Sequence, residues 1–253
     1  MTPGVVVGLA GLAIGSFLNV IIHRLPRDMS IVWPGSSCAV CGARIRWYDN
    51  VPILGWLLLR GRCRDCRQPI SIRYPLVELA TLAAFLLCYR EFGADWLLVP
   101  RLLFSAALIA LFAIDLEHQI LPNTITVPGI VAGIAFSIAL PPGIRDAVIG
   151  AAAGGGALWL IAEGWSRLRG VDAMGFGDVK MLAMIGAFLG WKLVIVTFVL
   201  SSLIGGAFAA ALLAARRTTL TSALPFGTFL AIAAFVAGLR GERLMNWYLS
   251  FYL

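Results

Sequence analysis

The sequence predicts an all-α polytopic membrane protein, with about eight transmembrane helices and one small soluble loop domain. Three observations carry that expectation. Of its 253 residues, 60% are hydrophobic and only 13% charged, where an ordinary soluble domain carries roughly 25% charged residues. The mean hydropathy is +0.90. The apolar residues also gather into runs close to the ~20 that a helix needs to cross a hydrocarbon core about 30 Å thick.

Those runs cover residues 4 to 22, 75 to 90, 97 to 114, 124 to 140, 146 to 165, 180 to 190, 193 to 214 and 223 to 239. In the first, Gly4, Gly8, Gly11 and Gly15 fall on one helix face, which suits close packing against a neighbouring helix. A cleaved signal peptide is the competing reading of this run. It has no basic leading segment and no A-x-A site before a new polar domain, so it is expected to persist as a helix. Pro122 and Asn123 break the chain before the fourth run. Gly150 to Ala157, GAAAGGGA, lies inside the fifth and reads as helix packing rather than a cofactor loop. The sixth run is short, and its border with the seventh rests on Trp191 and Lys192, which leaves seven spans as an open alternative. The expected organisation is a first transmembrane helix (1 to 22), a loop domain (23 to 73) and a transmembrane core (74 to 253).

Basic residues near helix ends are retained on the cytoplasmic side. Residues 23 to 73 hold nine arginines, and Arg167, Arg169, Lys180, Arg216 and Arg217 fall on the same side of an eight-span chain. The opposite side receives Arg90, Arg101, Arg145, Lys192, Arg240 and Arg243. The long loop is therefore expected in the cytoplasm, and the net charge of +7 reports topology. No aromatic-basic motif or RNA-binding pattern accompanies the arginines, so a nucleic-acid partner is not expected.

The loop carries CAVC at Cys38 to Cys41 and CRDC at Cys63 to Cys66. Two such hooks can each supply two thiolates and complete a tetrahedron around zinc, giving a zinc-ribbon-like domain. Two disulfides are the alternative, disfavoured in a reducing cytoplasm. A redox pair would need a thioredoxin-like unit that so short a loop cannot hold. Four cysteines leave no open coordination position, so the zinc is expected to be structural. Cys88, inside the second run, reads as an apolar packing residue. Trp47, Tyr48, Trp56 and Leu57 to Leu59 form an apolar load between the hooks, suited either to the bilayer interface or to a substrate.

Acidic residues at membrane depth are costly and mark functional candidates. Here they are Glu78, Asp115, Glu117, Glu163, Asp172 and Asp178. Asp115 opens DLEHQILPN after an apolar run, and Asp178 lies in MGFGDVK. The charge count brings both to one membrane face. Two carboxylates held close do not both ionise. The ionised member can then take a proton from water while the protonated one donates to a scissile carbonyl. Gly175 and Gly177 would admit backbone or substrate closely. The simpler reading of Asp178 is a helix N-terminal acid favoured by the macrodipole.

GSFLNVIIHRLP (Gly15 to Pro26), the paired hooks, WYDNVPILGWLLLRGRC (Trp47 to Cys63), ISIRYPLVEL (Ile70 to Leu79), DLEHQILPN, MGFGDVK and LPFGTFLA (Leu224 to Ala231) together resemble the prepilin peptidase family of membrane aspartic proteases. The resemblance implies a bacterial inner-membrane enzyme with Asp115 and Asp178 as its catalytic pair and zinc on the four cysteines. Its substrates would be type IV prepilins or type II secretion pseudopilins, cut after glycine behind a basic leader at the cytoplasmic face. It also implies methylation of the new N-terminus with S-adenosylmethionine, for which no glycine-rich loop of Rossmann type is present. Glu78 and Lys180 could orient substrate or cofactor, or pair with neighbours. Asn123 stands where the family often has aspartate, and Thr228 where it often has proline; neither is expected to touch the catalytic pair.

The loop's nine arginines against Asp28, Asp49 and Asp65 should repel a basic leader and instead hold anionic lipid headgroups. A proton- or ion-coupled transporter also uses paired intramembrane carboxylates, but no inverted repeat is visible. A structural assembly factor would leave both aspartates unexplained.

Overall fold

The computed structural model describes residues 2–169, 175–216 and 224–251. Asp172, Met174, Arg217 and the first residue of the eighth apolar run lie outside them. Among the described residues the regular structure is helical, with two isolated β-bridges and no strand. The chain divides into two compact units, Met1–Leu98 and Val99–Leu253.

The first unit is a helical hairpin with the loop between its arms. Helix α1 spans Pro3–Arg24 and α3 spans Arg73–Phe92. The glycine face of α1 lies on α3. A Cβ on Gly4 would meet Tyr89, one on Gly11 would stand 3.1 Å from Leu82 Cα, and one on Gly15 only 2.8 Å from Glu78 Cα. The rising numbers on α1 meet falling numbers on α3, so the helices are antiparallel. Small residues at the crossing let the two backbones approach, which replaces the hydrophobic drive that lipid does not supply. Cys88 is buried in α3, as expected of a packing residue.

In the loop, a short helix α2 (Leu54–Leu58) follows a 3-10 turn at Trp47–Asn50. Trp56 serves the loop itself: its ring lies over Gly61 and its Nε1 donates to the Ile70 carbonyl at 3.2 Å. Gly61 has φ +66 and a Cβ there would sit 2.8 Å from the indole, so both its conformation and its missing side chain are used. Trp47 and Leu58, by contrast, are 82% and 80% exposed. Arg64 grips Asp49 through Nε at 2.8 Å and through Nη2, and stacks over Tyr48.

The second unit holds α4 (Leu98–His118), α5 (Asn123–Phe136), α6 (Ile144–Arg169), α7 (Phe176–Ala214) and α8 (Phe226–Leu249). Its core joins Phe104, Leu108 and Leu111 of α4 to Leu158, Met184, Ile185, Val194, Leu230 and Ala234. Helix α7 is two arms. At Gly190 the backbone leaves helical space, with φ 80 and ψ 172, a region open essentially to glycine. A Cβ on Gly154 would meet Leu182 O at 2.7 Å and Val194 Cγ2 at 2.9 Å. Twelve residues of straight helix would hold those two about 18 Å apart. The chain therefore doubles back at Gly190, one residue before the border expected at Trp191 and Lys192.

With the two arms counted separately, the described residues contain eight long helical segments, and α1, α4, α6 and α7 are each long and apolar enough to cross a membrane. The GAAAGGGA run packs as expected: a Cβ on Gly150 would lie 2.5 Å from Gly186 O.

Candidate functional site

Asp115 stands in the last turn of α4 and is 5% exposed. Its Oδ2 accepts two hydrogen bonds from one residue of α8, the Thr228 backbone N–H at 2.8 Å and the Thr228 Oγ1 hydroxyl at 3.0 Å. Helix α8 begins at Phe226, so Thr228 is its third residue. Its N–H is one of the first-turn donors that have no partner within the helix. The carboxylate thus caps α8 from another helix, at the positive end of its dipole. Gly227 makes the approach fit, because a Cβ there would stand 3.0 Å from Oδ2.

Asp178 occupies the matching third position of α7, after Gly175 as N-cap. It is the helix N-terminal acid that the simpler reading described, and its own N–H bonds Gly175 O at 3.1 Å. Among the described residues, a Cβ on Gly175 would meet nothing nearer than 3.9 Å. Gly177 has a specific neighbour: a Cβ on it would lie 2.9 Å from Leu121 Cβ, and a Cβ on Gly227 would lie 3.0 Å from Leu121 Cδ1. One leucine, in the link between α4 and α5, therefore draws the N-termini of α7 and α8 together around Asp115. Lys180 Nζ donates to Asn123 Oδ1 at 2.8 Å.

Glu78 belongs to the first unit. It is 6% exposed, and its Oε2 accepts the Ile53 N–H at 2.6 Å. Ile53 has φ 61 and ψ −52, a strained conformation for a β-branched residue. Of the two roles left open for Glu78, the described contacts fit pairing with a neighbour: it fastens the loop to the α1–α3 hairpin.

The four cysteines converge. Their Sγ atoms all lie within 4.8 Å of one another, and the Cys38 and Cys66 sulfurs are 3.8 Å apart. A tetrahedron with metal–sulfur bonds of about 2.3 Å has edges of about 3.8 Å, so the donor set and its size fit zinc. The hooks are built alike. Cys38 N–H bonds Ala43 O, Cys63 N–H bonds Gln68 O, and the fourth residue after each first cysteine, Gly42 and Arg67, has positive φ. The Cys41 and Val40 backbone N–H groups lower the Cys38 thiol to about 7. Cys66 is pushed up to about 12 by burial and its three sulfur neighbours, although the Gln68 N–H favours its thiolate. Four sulfurs this close cannot all ionise without a cation among them, and a divalent metal removes that conflict.

Thr228, Gly227 and Leu121 were not legible as site residues. The expectation for Thr228 is corrected: it touches Asp115 directly, through two hydrogen bonds. The only signal in the sequence is a hydroxyl and a free N–H just after Pro225, where a helix begins.

A bundle of apolar helices with a carboxylate at one helix end, a second at the start of another and a four-thiol cluster on a polar loop defines a polytopic membrane protein. The chain belongs to the type IV leader peptidase family. That family's model matches residues 102–210 and the bacterial peptidase A24 N-terminal domain matches residues 9–92. A relative from Aeromonas hydrophila is 38% identical over 97% of this chain and 93% of its own length. One from Pseudomonas aeruginosa is 37% identical over 96% and 92%. One from Myxococcus xanthus is 48% identical over 77% and 58%. Each is named a prepilin leader peptidase/N-methyltransferase. No solved structure matches the chain significantly.

Proposed function

We propose that this chain is an inner-membrane aspartic endopeptidase that cuts the basic leader from type IV prepilins or type II secretion pseudopilins after glycine, and that it N-methylates the new terminus. The relatives' names support cleavage and methylation. The observation that carries the peptidase reading is the convergence of Asp115 and Asp178 through Leu121, Gly177 and Gly227. In this reading one carboxylate draws a proton from water as the oxygen attacks the scissile carbonyl. The other donates a proton to that carbonyl's oxygen, and the pair returns the protons as the C–N bond breaks. The low dielectric at a buried carboxylate strengthens both transfers.

Zinc on Cys38, Cys41, Cys63 and Cys66 would hold the loop's fold and take no part in the chemistry, since all four positions are filled. S-adenosylmethionine supplies the methyl group when bound. The described residues do not mark its site: a cavity of about 340 Å³ lined by Asp146, Trp191, Lys192 and Glu242 lies at the Gly190 bend, about 18 Å along α7 from Asp178. Methylation therefore rests on the family relationship.

The distribution of arginines supports eight crossings with the loop and both aspartates on the cytoplasmic side. The exposed Trp47, Leu57 and Leu58, together with the loop's basic residues, suit an anionic bilayer surface. Purified enzyme given a prepilin tests the whole reading. Asp115→Asn and Asp178→Asn should each abolish cleavage with the fold intact, and the mass of the new N-terminus should show one added methyl group. Cleavage retained in either variant removes that residue from the pair.

A further inference from the structure

We propose that Thr228 assigns the roles in the aspartate pair: by placing two donors on Asp115 Oδ2, it makes Asp115 the resting base and leaves the resting proton to Asp178. This rests on the reading of the two aspartates as the catalytic pair.

The two carboxylates have different surroundings. Asp115 Oδ2 accepts an N–H and an O–H from Thr228, and the N–H belongs to the first turn of α8. Hydrogen bonds given to a carboxylate favour its ionised form. Among the described residues, no hydrogen-bond donor to the Asp178 side chain is present. Asp178 does share the favourable end of a helix dipole, but Asp115 has the equivalent field from α8 and two direct donors as well. A protonated Asp178 needs an acceptor, and the substrate carbonyl supplies one.

The charged and titratable groups around Asp115 are few. Helix α7 brings Asp178 and Lys180, and the Lys180 ammonium is engaged by Asn123. Helix α4 itself carries Glu117 and His118, whose side chains face each other at 3.9 Å. Helix α8 offers the uncharged Thr228, and the Leu121 link carries no charge. Thr228 is thus the group whose alteration changes the donors on Asp115 without changing any charge. A valine at 228 removes the hydroxyl and keeps the N–H; a proline removes both.

Thr228 is a positioning residue, and the test is the pH dependence of prepilin cleavage by full-length enzyme. Thr228→Val should move the acidic limb of kcat/KM about one unit to higher pH, as expected for loss of one hydrogen bond to an ionised group. KM should be little changed. Thr228→Pro should move the limb further, and Thr228→Ser should restore the wild-type profile. An acidic limb unmoved in well-folded Thr228→Val and Thr228→Pro overturns the assignment. Should Asp115→Asn itself retain cleavage, the failure lies in the catalytic pair, whatever the Thr228 variants do.

Discussion

Lys180, two residues beyond Asp178, reaches away from it to Asn123 Oδ1, 2.8 Å away at the start of α5. The lysine therefore ties the entry of α7 to the entry of α5 and does not neutralise Asp178. Lys180→Met should lower thermal stability by about 1 kcal/mol, typical of one partly exposed hydrogen bond. It should leave the pH profile of cleavage in place. Asn123→Asp should turn the contact into an ion pair and hold at least the wild-type stability while Lys180 is present, but not in Lys180→Met, a coupling that a double-mutant cycle measures.

Gly227 and Gly177 test the geometry of the pair from two directions. Gly227→Ala places a methyl 3.0 Å from Asp115 Oδ2, so the carboxylate must move off Thr228. A displacement of about 1 Å at a reacting group costs on the order of a hundredfold in rate. Cleavage should fall by about that factor while the protein still folds and binds substrate. Gly177→Ala meets Leu121 Cβ at 2.9 Å, and the second change Leu121→Gly should relieve it. The same second change should not restore Gly227→Ala, because its methyl still faces Asp115.

The sequence conveyed these elements unequally, for physical reasons. Helix existence, the Gly4 to Gly15 packing face and the four thiols were legible because each is a local pattern: a hydropathy run, a helical spacing, a paired hook. The break at Gly190 was placed to within one residue, at the border marked by Trp191 and Lys192, but its form was not legible. The polar dip at Trp191 and Lys192 marks a border, but a hydropathy profile does not say that the chain doubles back, which depends on the positive φ of one glycine among 27. The two aspartates stood out because an acid beside lipid is costly. Thr228 and Leu121 did not, since a threonine or a leucine near a helix start is ordinary, and their roles arise from a contact 113 positions apart in the chain and from the meeting of two helix ends.

Glu78 shows that an acid within an apolar run can have a structural use. Its Oε2 satisfies the N–H of Ile53, in a backbone conformation that isoleucine adopts only under constraint. Glu78→Ala should leave that N–H unpaired and cost about 1 to 3 kcal/mol. The loop segment around residues 50 to 60 should then become accessible to limited proteolysis. Glu78→Gln keeps an acceptor and should retain most of the protection. Ile53→Gly, which removes the backbone strain, should partly offset the loss in the alanine variant.

The thiol cluster predicts an order of reactivity for the metal-free loop. Intact protein should carry about one zinc per chain by elemental analysis, and its four loop cysteines should resist alkylation, because metal-bound thiolates are not free to react. After chelation, a thiol reacts in proportion to its thiolate fraction. Cys38, lowered to about 7, is then about half ionised at neutral pH, whereas Cys66, at about 12, is almost wholly protonated. Cys38 should therefore label first and Cys66 last, as read by peptide mass spectrometry. Raising the pH should bring Cys66 closer to Cys38, since Cys38 is already near its limiting rate while the Cys66 thiolate still increases. Equal labelling of the two at neutral pH would show that the backbone N–H groups of Val40 and Cys41 do not hold the first hook in its folded form without metal.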